Sequence, residues 1–183
     1  MAREAALALL REYTKNPALI KHALAVSAAM GAYAEKFNED VNKWRIVGLV
    51  HDLDYEQYPD MKLHAKMGAE ILQKNGYPDD VVYAVHAHNE YHGLPLRSLL
   101  DKTLYAVDEL CGFIVAVALV RPSKSLAEVD VHSVKKKMKN TAFARQVDRQ
   151  AIYKGAETLG VDLDEHIRVV LTAMQKIAPE LGL

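Results

Sequence analysis

Trp44-Arg45-Ile46-Val47-Gly48-Leu49-Val50-His51-Asp52-Leu53 reads as the closing turns of a helix that points an imidazole at a protein core. Trp44, Val47 and His51 recur at i, i+3 and i+7, the spacing of a single helical face. Gly48 stands one turn before Asp52 and allows another backbone to approach closely on that side. Apolar surroundings are a poor solvent for His51 and Asp52. A carboxylate removed from water without a partner is costly, so such groups pair, hydrogen-bond or coordinate a metal.

The same oddity recurs on two other predicted helices. One covers 17–37, opened by Asn16-Pro17 as N-cap and first helical residue, and carries Leu19, His22, Val26, Tyr33 and Phe37 on one stripe. The longest covers 98–120 and carries Leu104, Asp108, Cys111, Val115 and Ala118 on one stripe. His22, His51, Asp52 and Asp108 are thus all expected to face inward. Two imidazoles and two carboxylates converging in a helical core make a ligand set for a divalent cation.

Helical patterning continues over 2–15, 40–53, 61–74, 79–92, 131–139, 141–146, 148–159 and 162–177. Asn75-Gly76 supplies a stop signal, 54–61 a loop, and Arg121-Pro122-Ser123-Lys124-Ser125 a break after the longest helix. Strand patterns are scarce, so the fold class is all-α.

Composition narrows the partners. Lys and Arg total 23 against 24 Asp and Glu, a net charge of −1 with none of the positive excess of a duplex-binding module. No nucleic acid duplex is expected. The longest apolar run, Phe113 to Val120, is far short of the roughly 20 residues of a membrane span, so no membrane is expected either. Cys111, the single cysteine, cannot form a disulfide within one chain. It reads as a buried inert thiol in a reducing compartment. With no leader visible before the first helical pattern, a cytoplasmic location follows as an expectation. A homo-oligomer remains compatible with the sequence.

The order His22, then His51-Asp52, then Asp108, each on an apolar stripe, resembles the HD superfamily of metal-dependent phosphohydrolases, and within it the small stand-alone HDIG-type proteins. The resemblance implies one HD-type domain over 1–183, with a metal-binding core at about 17–125 and C-terminal helices 126–183 packed on it. It makes His22, His51, Asp52 and Asp108 the ligands of Mn, Fe, Co, Ni or Zn. It also offers a second ion. His64-Ala65-Lys66-Met67-Gly68-Ala69-Glu70-Ile71-Leu72 resembles the family's HPxxGAxIL segment with Ala65 in place of proline. His88 shares a stripe with Val81, Ala84 and Val85, whereas His86 is rotated about 160° away. His64 and His88 are therefore the candidate second-site ligands with Asp52 as bridge, and His92 is assigned to loop surface. One ion or two stays open.

Around this set, Asp52 and Asp54 are the candidate catalytic carboxylates, with Glu56 an alternative base. Tyr55, where many relatives carry a lysine or an acid, is a candidate donor to a phosphate oxygen. Arg121 and Lys124, held beside Pro122 at the end of the 98–120 helix, are candidate phosphate contacts. The expected function is hydrolysis of a phosphate ester, a nucleotide or another small phosphorylated metabolite. An HD-type di-iron oxygenase and a non-catalytic nucleotide-binding regulatory module are the alternatives.

Overall fold

Two 21-residue helices, α2 (Pro17–Phe37) and α6 (Leu99–Leu119), carry the core. In the computed structural model, which describes residues 2–183, they are accompanied by α1 (Arg3–Tyr13), α3 (Val41–Val50), α4 (Lys66–Lys74), α5 (Asp79–Ala87), α7 (Val131–Met138), α8 (Arg149–Leu159), α9 (Leu163–Lys176) and the short α10 (Ala178–Leu181). No strand occurs among the described residues, and none of their helices is long and apolar enough to cross a membrane.

Local chemistry sets the ends of the two long helices. Asn16 caps α2 by accepting the Ala18 N–H, and Asn38 closes it in the left-handed region at φ 59°. Ser98 and Asp101 form a reciprocal capping box at the start of α6. After a short turn α3 packs along α2. Gly48 is the contact point, since a Cβ there would lie 2.6 Å from the Ser27 Cα. That approach presses the C-terminal end of α3, with His51, against the middle of α2. α6, α9 and α10 also pack on α2, and α8 covers α6.

Three helix expectations shift. The helix expected from 61 starts at Lys66, because the side chain that caps it belongs to Asp54, eleven residues upstream of Ala65. The helix expected to reach 92 ends at Ala87, where Asn89 caps a 3₁₀ turn over Glu90–His92 and ties it to the Met61 and His64 carbonyls. The helix expected over 141–146 is a run of turns. There the Arg149 guanidinium collects the carbonyls of Met138, Asn140, Phe143, Ala144 and Val147, and Ala144 takes a positive φ.

One buried histidine serves the fold alone. The Tyr33 hydroxyl donates to His166 Nδ1 at 2.6 Å, and His166 Nε2–H donates to the Ala106 carbonyl at 2.9 Å, tying α2, α6 and α9 together. This arrangement uses the neutral ring, and burial holds the His166 pKa below its ordinary 6.5. The unfolded chain therefore takes up a proton near pH 6.5 that the folded chain refuses. Stability contributed by His166 is complete above that pH and is lost as pH falls below it, at up to about 1.4 kcal/mol per pH unit. His166→Gln, which can accept from Tyr33 and donate to Ala106, should flatten the dependence of the urea midpoint between pH 7 and 5.5. An equally steep dependence in the variant would show that His166 does not control it.

Candidate metal centre

Six side chains from five segments meet between α2, α3, α5 and α6. His22 comes from the first half of α2, His51 from the C-cap of α3, and Asp52 from the turn that follows. His64 precedes α4, His88 is the C-cap of α5, and Asp108 lies midway along α6. Asp52 stands at the centre and splits its two oxygens. Oδ2 faces His51 Nε2 at 3.4 Å and His22 Nε2 at 3.9 Å, whereas Oδ1 faces His64 Nε2 at 3.3 Å and His88 Nε2 at 3.2 Å. Asp108 Oδ1 joins the first group, 2.8 Å from His22 Nε2 and 3.4 Å from His51 Nε2. Within each group, His22–His51–Asp52–Asp108 and Asp52–His64–His88, the donor atoms lie within 4.8 Å of one another.

The helix ends aim the imidazoles. His51 Nδ1–H donates to the Gly48 carbonyl at 2.9 Å, and His88 Nδ1–H donates to the Val85 carbonyl at 2.6 Å. Each bond reaches back three residues to a last-turn carbonyl that the helix leaves without a partner. His64 Nδ1–H instead donates to Asp54 Oδ1 at 3.2 Å. In all three rings Nδ1 is tied to an acceptor and Nε2 is turned toward Asp52, the ring orientation of a metal-binding histidine.

Charges of both signs meet here. The Asp52 and Asp108 carboxylates sit well below the usual carboxylate range, because protonated His51 beside both and bonds from His22, His64 and His88 outweigh the cost of burial. Burial lowers the His51 pKa, yet Asp52 and Asp108 hold it well above its ordinary value, and His64 is pushed up to about 9 by Asp52 and Asp54 against the same burial. His51 Nε2 is nevertheless fully enclosed with no hydrogen-bond partner. An orphaned, buried imidazole nitrogen between two carboxylates fits a divalent metal ion, which supplies positive charge and accepts that lone pair.

A cavity of about 760 Å³ opens over the centre. Tyr55 lines it, with its ring edge-on to His64 at 5.0 Å, so this expected contact residue reaches the site. Asp54 does not. It is fully buried behind His64, and its Oδ2 accepts the Ala65 and Gly68 N–H groups at the start of α4. Glu56 turns the other way, accepting the Lys15 and Asn16 N–H groups. His92, expected on loop surface, donates from Nε2 to the His64 carbonyl at 2.8 Å and so braces the same ligand. His86 meets the His92 ring edge-on at 4.8 Å, away from the centre.

Arg121 and Lys124 lie apart from this cavity. The end of α6 lies about 16 Å beyond Asp108 along the helix axis, whereas the cavity opens beside the middle of α6. Neither residue lines it, and Lys124 is exposed with φ 51°. The cavity wall instead includes Asn89, Glu90, Tyr105, Glu109, Gln146 and Asp148. Glu109 is pushed up to about 7 by burial and by the neighbouring Asp108 charge, and it accepts the Asp148 N–H at 3.2 Å. Adjacency to His88 and Asp108 was a signal for Asn89 and Glu109. Nothing in the sequence marked Gln146 or Asp148, which arrive from the loop that Arg149 shapes.

The HD domain family model matches residues 19–118, more than half of the chain. The chain belongs to the HD domain family. All six clustered side chains fall within the matched HD segment, while Gln146 and Asp148 of the cavity wall lie beyond it. HD domains bind divalent metals, in keeping with the His/Asp cluster found here. Among curated proteins the chain is similar to ribonuclease Y of Desulfotalea psychrophila, 33% identical over 95 residues that make up 51% of this chain and 18% of that protein. It is 33% identical over 99 residues to ribonuclease Y of Nitratidesulfovibrio vulgaris, again 51% of this chain and 18% of the relative. A tRNA (cytidine(56)-2'-O)-methyltransferase of Thermoplasma volcanium is 37% identical over 82 residues, 45% of this chain and 24% of that protein. The chain thus spans a quarter or less of these relatives. No solved structure shows significant similarity to it.

Proposed function

We propose that this HD domain is a phosphohydrolase that works with two divalent ions and acts on a small phosphate ester. The observation that carries the reading is the split of Asp52, one oxygen toward His22, His51 and Asp108 and the other toward His64 and His88. A carboxylate with histidines on both sides is the arrangement expected of a bridging ligand. Mixed imidazole and carboxylate donors suit Mn, Fe, Co, Ni or Zn better than Mg. Ions of this kind supply Lewis-acid activation of water and neutralise charge on a phosphate group.

The chain's own residues do the rest. Gly48 and Val85 carbonyls keep His51 and His88 from rotating, and Asp54 does the same for His64. Asp54 is thereby a positioning residue. Tyr55 lines the cavity and can donate its hydroxyl to a phosphate oxygen there, the role expected of it from the sequence. Among the described residues no lysine or arginine lines this cavity, whereas Glu90, Glu109 and Asp148 do. A single phosphate can be held by the ions. Further phosphates along a strand would meet Asp148, Glu109 and a Glu90 whose carboxylate is already paired with Lys154. The metal-dependent hydrolysis suggested by the family and its ribonuclease Y relatives is therefore assigned to a small ester rather than to RNA.

The test is protein loaded in turn with Mn, Fe, Co, Ni and Zn, analysed for bound metal and assayed on phosphate monoesters, phosphodiesters and an oligoribonucleotide. About two ions per chain and turnover confined to small esters are expected. Oligoribonucleotide cleavage without small-ester turnover would overturn the substrate assignment, and oxygen consumption without phosphate release would overturn hydrolysis.

A further inference from the structure

Gly112 is a helical glycine that packing does not require. A Cβ built on it meets nothing within 4 Å, whereas at Gly31, Gly48, Gly68 and Gly155, also inside helices, a Cβ would meet a neighbour at 2.4–3.0 Å. Its backbone is ordinary helix, so no unusual φ calls for glycine either. Glycine inside a helix lowers the helix equilibrium about fivefold relative to alanine. The empty volume over Gly112 is therefore kept against a cost to α6.

Two cavities share their lining at that position. Gly112 and His22 line both the cavity over the metal centre and a second one of about 340 Å³. The second is walled by Pro17 and Ala18 of α2, Val115 and Leu119 of α6, and Leu181 and Leu183. Lys21 stands at its rim, its ammonium group against Gly182. The recess is otherwise apolar, and it starts four residues beyond Asp108 on α6, about 6 Å along the helix.

We propose that this recess receives the apolar organic part of the substrate, with Gly112 setting how large that part can be. The inference rests on the phosphohydrolase reading and names its substrate class: a phosphate monoester of an alkyl or aryl group. The phosphate end belongs with the Asp52 cluster, the one region of the cavity where cations would gather. The recess offers a second anionic group no buried partner, and it rewards apolar surface. Each methylene it removes from water contributes about fourfold in affinity. An ethyl group on a phosphate at the centre is too short to pass Gly112, and a hexyl group reaches the level of Val115, about 10 Å beyond Asp108 along the helix.

The experiment uses metal-loaded protein. Calorimetric affinities are measured for ethylphosphonate and hexylphosphonate, and kcat/KM for ethyl and hexyl phosphate. The parent should favour the hexyl compound at least about tenfold in both, the equivalent of two buried methylenes. Gly112→Leu fills the passage and should bring the ratio to about one, with Gly112→Ala intermediate. Val115→Ser, at a half-buried position on the recess wall, should lower the ratio severalfold. Equal affinities in the parent, or a hexyl preference that survives Gly112→Leu, would overturn the proposal. Preferential hexylphosphonate binding with neither ester hydrolysed leaves the recess assigned and overturns the hydrolase reading instead.

Discussion

Asp52→Ala should leave a helical protein that binds neither of the two metal ions proposed above and has no turnover above background. The expectation follows from one side chain serving two groups of donors. Its loss removes a charge and a ligand from His22–His51–Asp108 and from His64–His88 at once. Replacing a residue that merely orients a ligand typically costs 10–100-fold in metal affinity. Removing the shared ligand itself should exceed that on both sides. Asp52 is also one of two carboxylates that raise each of His51 and His64, Asp108 being the other for His51 and Asp54 for His64, so its loss weakens the charge balance on both sides. Elemental analysis alongside circular dichroism decides the matter. Two ions per chain in Asp52→Ala would sink the assignment, and one ion would show that Asp52 belongs to a single group.

Much of this centre was legible from residue type and spacing. His22, His51 and Asp108 stood out because polar groups on apolar stripes have few inexpensive solutions, and the structure brings them together with Asp52. The caps of α2 and α6 were equally plain, since Asn16-Pro17 and Ser98/Asp101 act on their own next turn. What escaped prediction depends on partners distant in sequence. The α4 start at Lys66 is set by Asp54, and the same carboxylate that looked like a base is consumed in doing so. Residues 141–146 have a helical pattern, but five of the neighbouring carbonyls bond to Arg149 rather than to a helix. Arg121 and Lys124 stand apart from the cavity for another reason. Chemistry named them as phosphate contacts, but only the packing of α8 and its preceding loop against α6 shows where the cavity opens.

Ala65→Pro should be among the most damaging substitutions outside the ligands, although it restores the proline of the family's HPxxGAxIL segment. In this chain Ala65 is buried at φ 69°, a value that the proline ring, locked near −65°, cannot reach. Its N–H also donates to Asp54 Oδ2 at 2.9 Å, and proline has no N–H to offer. Losing a hydrogen bond to a buried carboxylate costs about 1.5–3 kcal/mol, to which the forced change of backbone adds. The damage should spread to metal binding, because Ala65 follows His64 directly and shares Asp54 with it. The expected result is a lower urea midpoint and loss of one equivalent of metal, the one held through His64 and His88, while the His22–His51–Asp108 group keeps its ion. Ala65→Gly keeps the N–H and suits a positive φ, so it should be at least as stable as the parent with both ions bound. A proline variant as stable as the parent, with two ions bound, would show that the turn before α4 does not need the conformation from which Asp54 and His64 are held in place.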